Sequence, residues 1–458
     1  LDELQMLCPN LEHVALVATW FGDDLRAGHC KIRPAVTHRT ATGLSQPWSV
    51  SGVERDTAMV VSYHGEGAAY GGTPSDMSVV AAIREIKARG LKVTLYPFIM
   101  MDIEGANGLP DPYGGTEQTP YPWRGRITCH PAPSQPGSAD RSHVVRSQVQ
   151  SFCGAAGAGD FMVSAGEVAF VGAAQDWGYR RLILHFAHLA QAAGGVDAFL
   201  LGSELRGLTT LRDGNDAFPF VEALCDLAAE VRSILGPHTA ISYGADWSEY
   251  FGHHPADGSG DVYFHLDSLW SHPEVNAVGI DNYMPLSDWR DGDHTNPNPD
   301  GFAGPYDPDG LREAVTGGEG YDWYYPSLEA RAQRLRTPIA DGAYGKPWVF
   351  RYKDLAGWWG NAHFNRINGV EAAQPTGWVP GSKPIWFTEL GCPSVDKGPN
   401  QPNVFPDPKS AENAVPYFSD SGRSDIAQHR LLEAQAQVWD PASPKFDAAK
   451  NPASPLYG

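Results

Sequence analysis

The chain has 458 residues, 42% of them hydrophobic and 11% aromatic, with 14 tryptophans. That aromatic load excludes a disordered chain, and 50 glycines with 37 prolines argue against a compact helical bundle. The formal net charge of −20, with no long basic run, argues against direct contact with duplex DNA or an anionic membrane surface. It is compatible with a neutral ligand such as a sugar.

Apolar, β-branched runs alternate with helical patterns along the chain. The first strand is predicted at His13–Thr19, with Trp20 at its end, and a shorter one at Ala58–Ser62. A helix is predicted over Ser75–Arg89. Ser75 caps it, Val79, Val80, Ile83 and Ile86 share a face, Gly90 ends it, and the strand Leu91–Phe98 follows at once. The pattern repeats twice, as helix Tyr179–Ala193 before strand Ala198–Leu201 and helix Pro219–Leu235 before strand Thr239–Tyr243. Strand Ala277–Ile280, helix Ser327–Arg336, strand Pro384–Thr388 and helix Asp425–Val438 complete the series.

Short apolar strands alternating with helices predict an α/β fold with a parallel sheet covered by helices. The open solutions are a doubly wound sheet and a (β/α)₈ TIM barrel. No glycine-rich phosphate turn follows the first strand, which weakens the nucleotide-binding version. The long stretches at about 21–57, 102–141, 283–325 and 340–383 sit mostly after strand ends, whereas helix-to-strand joins are short. A barrel with elaborate loops at its C-terminal face, where barrel enzymes place their sites, accommodates this asymmetry. The expectation is a single domain over 1–458. Nothing in 439–458 reads as a strand, so the eighth strand is expected to be missing from this chain or irregular. The start at Leu1 and the Pro-rich end predict a processed form or a segment of a longer polypeptide. No signal-peptide pattern opens the chain, and no apolar run reaches the length of a membrane span.

The six cysteines show no CxxC pair and no metal spacing, and their thiols are expected to be buried and free, with Cys129–Cys153 or Cys8–Cys30 the alternatives if bridges form. His253, His254, His265 and Asp267 likewise match no firm metal spacing. No cofactor and no metal are expected.

Two carboxylates stand at matching places. Glu204 lies just beyond the run 198–201 and Glu389 just beyond 384–388. Two carboxyls at strand ends are the minimum apparatus of glycoside hydrolysis, and each taken alone also reads as a helix-end charge or a salt-bridge partner.

Six stretches carry a wider resemblance: Ala69–Asp76, Leu201–Gly207, Ala245–Tyr250, Gly279–Trp289, Gly345–Asp354 and Pro384–Cys392. Together they resemble the glycoside-hydrolase-type TIM-barrel domain of the large tail-tip protein (the megatron, a baseplate hub) of gene transfer agents and related tailed phages. At one remove the chain looks like the clan A glycosidases of the β-mannanase-like group. The resemblance implies Glu204 as acid/base and Glu389 as nucleophile, with retention of configuration. It implies that Tyr283 hydrogen-bonds the nucleophile, with a packed rim aromatic as the other reading. Asp281 and Asn282 either bind sugar hydroxyls or cap a turn. Tyr243, Asp246 and Trp247 are candidates for a subsite, and Trp20 and Trp386 either stack on a sugar or pack in the core. One departure is Ser203, where clan A enzymes carry an Asn that holds the sugar 2-hydroxyl. A shorter side chain there implies a different 2-position or weak activity.

On this reading the chain is a tail-tip glycosidase domain of a phage-like particle. Its substrate would be a cell-envelope glycan, peptidoglycan or surface polysaccharide, met at the bacterial envelope, and its partners the other domains and proteins of the tail. The alternative is a catalytically idle structural or glycan-binding barrel of the tail hub.

Overall fold

The computed structural model describes residues 1–40, 47–296, 298–448, 451 and 454–456. Residues 41–46 of the expected 21–57 insertion lie outside the described residues. Among the described residues there are six strands of five or more residues: β1 (His13–Gly22), β2 (Lys92–Met101), β3 (Ala198–Ser203), β4 (Ala240–Asp246), β5 (Val278–Asn282) and β6 (Ile385–Leu390). Five helices of ten or more residues accompany them: α1 (Asp76–Ala88), α2 (His143–Cys153), α3 (Tyr179–Ala192), α4 (Pro219–Leu235) and α5 (Asp425–Trp439). Internal contacts divide the chain into two compact units. The first is 1–244 with 268–277 and 409–411, and the second is 245–267 with 278–408 and 412–458.

In the first unit, β1 pairs in parallel with β2, β2 with β3, and β3 with β4. Each strand-to-strand return is made through a helix, the connection that parallel strands require. Ser75 caps α1 as its sequence predicts, its hydroxyl accepting from Ser78 N at 3.2 Å, and Val79, Val80, Ile83 and Ile86 form the buried face. α3 is buried on nearly all sides, Leu182, Ile183, Leu184, Phe186 and Leu189 included. Each such side chain contributes about 1.5–3 kcal/mol of burial. Its one buried histidine, His185, is bonded to Asp76 at 3.0 Å, and Asp76 also accepts from Val168 N. The pair satisfies both carboxylate oxygens of Asp76 and the Nε2 of His185, the groups that its burial would otherwise leave without partners.

The second unit holds the parallel pair β5–β6, with Ile280 opposite Phe387 and Asp281 opposite Glu389 across a register shift. α5 buries Ala427, Leu431, Ala434 and Trp439. A second core gathers Phe264, Trp348, Trp358 and Trp378 around His363, with Phe264 stacked on the imidazole at 4.3 Å. His363 Nδ1 meets Asp267 at 2.9 Å and Nε2 meets Trp358 O at 2.8 Å. Asp267 and Trp358 are thus committed to the core.

Three expectations are corrected. The run Ala58–Ser62 does not join the main strands: Met59 and Val60 pair only with Ala35 and Val36 in a two-residue ladder, and Ser62 turns to Asp102. The helix expected over 327–336 is a single turn, Leu328–Ala332. Ser327 caps it, but Arg334 takes a left-handed φ of 58° and its guanidinium is held by Asp293, which ends the helix early. Helix α2 and the hairpin Phe161–Ser164 with Glu167–Phe170 fall where no element was expected. Among the described residues no strand follows α5. Instead Pro455 O accepts from Ile385 N at 2.7 Å, a single backbone contact at the start of β6. The six cysteines form no disulfide; against the expectation of burial, Cys8 is exposed and Cys225 half-buried, while burial pushes Cys129 up to about 11 and Cys153 and Cys392 up to about 12.

Candidate active site

The end of β3 departs from regular strand geometry at two successive sites. Gly202 has φ 114°, and a Cβ there would overlap the hydroxyl of Tyr179, which donates to Leu201 O. Only glycine fits. The strand register against β4 shifts between Leu200 and Ser203 as a result. Glu204 then takes φ 52°, a left-handed conformation uncommon for a residue with a side chain. Such strain costs on the order of 1–3 kcal/mol and persists only where the surroundings impose it. Here Glu204 N donates to Gly244 O at 2.8 Å, and Leu205 N donates to Tyr243 Oη at 2.7 Å.

Glu204 is buried, 7% exposed. Two donors from the 102–141 stretch meet the same oxygen: Trp123 Nε1 lies 2.7 Å from Oε2 and Arg124 Nη2 lies 2.9 Å from it. Arg124 is itself built in. Its Nε donates to Ser203 O at 3.0 Å, its Nη2 donates to Ser203 Oγ at 2.7 Å, and its guanidinium lies 3.8 Å over the Phe98 ring. Ser203 therefore faces an arginine of its own chain. Tyr243 is fully buried, and its hydroxyl is the acceptor that fixes the backbone after Glu204. Trp20 is fully buried among Trp177, His185 and Phe186.

In the second unit Glu389 lies on β6, partly buried, one residue before the strand ends. Tyr283 Oη donates to Glu389 Oε2 at 2.6 Å, and the Tyr283 ring meets Phe405 edge-on at 5.7 Å. Asp281 is buried, its Oδ1 accepting from Thr388 Oγ1 at 2.5 Å. Asn282 caps the following turn, its Oδ1 accepting from Met284 N at 3.2 Å. Asp246 accepts from Ser248 N at 2.8 Å, and Trp247 meets Tyr352 at 4.7 Å. Trp386 is partly buried within β6.

The aromatic stretch 322–325 serves the loop that carries it. Tyr325 Oη donates to Asp288 at 2.6 Å, and Arg336 covers Trp323 at 3.8 Å. Trp123 and Arg124 were not singled out in the sequence. They lie about 80 positions from Glu204, and no local pattern links them to it.

Each glutamate thus sits at the C-terminal end of a parallel strand, with one carboxylate oxygen held by an aromatic side chain that donates a hydrogen bond. Such a group is oriented, and it is chemically able to exchange a proton or to attack as an anion.

The model of the GTA TIM-barrel-like domain matches residues 177–458. A search of curated proteins returned no match. Among solved structures, the GH113 β-mannanase AaManA from Alicyclobacillus acidocaldarius, in complex with ManMIm, is 16% identical over 97% of this chain and 77% of its own, with a TM-score of 0.39. A complex structure of a GH113 β-1,4-mannanase is 13% identical over 98% of this chain and 83% of its own, with a TM-score of 0.40.

Proposed function

The chain belongs to the GTA TIM-barrel-like domain family, and on that premise we propose that it is a retaining glycoside hydrolase acting on a cell-envelope glycan. The observation that carries the reading is the matched pair of strand-end glutamates, each with Oε2 anchored, by Trp123 at Glu204 and by Tyr283 at Glu389. The left-handed backbone of Glu204, held in a buried position directly after a strand, adds to it.

In the proposed reaction, protonated Glu204 gives its proton to the glycosidic oxygen as the bond to the anomeric carbon breaks. Glu389 attacks that carbon as a carboxylate and forms a glycosyl ester. Glu204, now a base, takes a proton from water, the water oxygen attacks the anomeric carbon, and the Glu389 ester bond breaks. Retention requires that the two carboxyls work about 5–5.5 Å apart during this cycle. Tyr283 holds Glu389 in orientation.

The biological setting follows from the same proposal. The domain acts within the tail tip of a phage-like particle, where cutting peptidoglycan or surface polysaccharide would clear a path through the envelope. No helix among the described residues is long and apolar enough to cross a membrane. The test is a panel of purified peptidoglycan and surface polysaccharides, incubated with the wild-type chain and with Glu389→Gln. Release of reducing ends by the wild type and not by the variant supports the reading. Binding without turnover by either protein overturns it in favour of a glycan-binding tail domain.

A further inference from the structure

The loop that delivers Trp123 and Arg124 is clamped against the turn that follows Glu204. Thr128 O accepts from Ala27 N at 2.8 Å, and Thr128 N donates to Leu25 O at 2.9 Å. A Cβ at Gly207 would overlap Ile127 O, and a Cβ at Gly125 would overlap the Trp123 ring, so both glycines permit an approach that no other residue allows. Phe98, in the second half of β2, lies against the Arg124 guanidinium at 3.8 Å. Nothing in this arrangement is a chance surface contact: Arg124 is 7% exposed and Ser203 is 3% exposed.

The chemistry lies in which oxygen is used. A protonated carboxyl has one carbonyl oxygen, which only accepts, and one hydroxyl oxygen, which carries the hydrogen. Trp123 Nε1 and Arg124 Nη2 are both donors, and both meet Oε2. Oε2 is therefore the carbonyl oxygen whenever Glu204 is protonated, and the hydrogen resides on Oε1.

We propose that Trp123 and Arg124 are positioning residues that assign the two oxygens of Glu204, fixing Oε2 to the protein and making Oε1 the atom that transfers the proton. This rests on Glu204 being the acid/base of the proposed hydrolase. In the step concerned, the Oε1–H bond breaks and the proton joins the glycosidic oxygen. The electron pair of the breaking bond to the anomeric carbon stays on that oxygen, and Glu204 is left ionised against Arg124. When water is the reactant, the proton returns to Oε1.

The experiment compares wild type with Trp123→Phe and Arg124→Lys on two aryl glycosides of the sugar released in the glycan panel, with 4-nitrophenol and 2,4-dinitrophenol as leaving groups. Dinitrophenolate leaves without help from an acid, and 4-nitrophenolate needs more of it. Trp123→Phe is expected to lower kcat for the 4-nitrophenyl glycoside by about 10–100-fold, with KM little changed and the dinitrophenyl glycoside affected only a few-fold. Arg124→Lys, which keeps a donor and the charge, is expected to fall in between. Adding Trp123→Phe to Glu204→Gln is expected to cost nothing further, because the indole acts through the carboxyl. Equal losses on both leaving groups, or a full additional loss in the double variant, would overturn the assignment while leaving the hydrolase reading intact. A wild type that turns over no glycan in the panel removes the hydrolase reading, and this inference with it.

Discussion

The Tyr179 hydroxyl occupies the space that any side chain at position 202 would need, and it donates to Leu201 O in the same step of the chain. One tyrosine at the start of α3 thereby sets the bend by which β3 delivers Glu204. Residues 179 and 202 are far apart in sequence, yet the geometry of the site depends on their fit.

Gly202→Ala is expected to be strongly destabilising. The left-handed φ of 114° penalises any side chain by about 1–2 kcal/mol, and overpacking against buried Tyr179 adds about 1–3 kcal/mol. Urea unfolding should show a total loss of about 3 kcal/mol. Tyr179→Phe, which removes the clashing hydroxyl, should recover part of that loss in the double variant and cost about 1 kcal/mol alone through Leu201 O.

Tyr283→Phe deletes the donor to Glu389 without changing the ring that meets Phe405. A hydrogen bond to a charged group contributes about 1.5–3 kcal/mol, so kcat/KM is expected to fall by roughly 10–100-fold. The folded state should be nearly unaffected, and a melting curve alongside the kinetics separates the two effects.

Lys353 gives a pH-dependent prediction. Its ammonium is buried in the second unit, donating to Pro285 O and Gly317 O at 2.7 Å each, and burial pulls its pKa down to about 7. Between about pH 7 and the ordinary lysine value near 10.4 the unfolded chain holds a proton that the folded chain has released. Stability contributed by this group therefore rises with pH across that window, by up to about 1.4 kcal/mol per pH unit. Below about pH 7 both states are protonated and the slope vanishes. Unfolding free energies at pH 7 and pH 9 should differ less in Lys353→Met than in wild type.

The parallel architecture was legible because its strands are apolar runs that follow a helix-stopping glycine, as at Gly90 before β2 and Gly236 before β4. Four of the five expected helices appear close to their predicted bounds, since their apolar spacing and caps are local properties. The Ser327 helix failed where tertiary ion pairing of Arg334 outweighed local propensity. The run at 58–62 failed because four apolar residues satisfy a two-residue ladder as well as a long strand. At the candidate site, the strand-end positions of Glu204 and Glu389 could be read from the apolar runs before them. The left-handed backbone of Glu204 was foreshadowed only by Gly202. Trp123 and Arg124 left no local trace, because they reach Glu204 through a loop anchored by backbone bonds at Leu25 and Ala27.

The most direct test of the central claim is the configuration of the first sugar released. Proton NMR of the reaction mixture, recorded before mutarotation, reads the anomeric signal of the new reducing end for whichever envelope glycan the wild-type chain cleaves. The account predicts the same anomer as in the substrate, with the signal absent for Glu389→Gln. Release of the opposite anomer, or an undiminished signal from Glu389→Gln, would contradict a mechanism in which Glu389 is the nucleophile and Glu204 the acid/base.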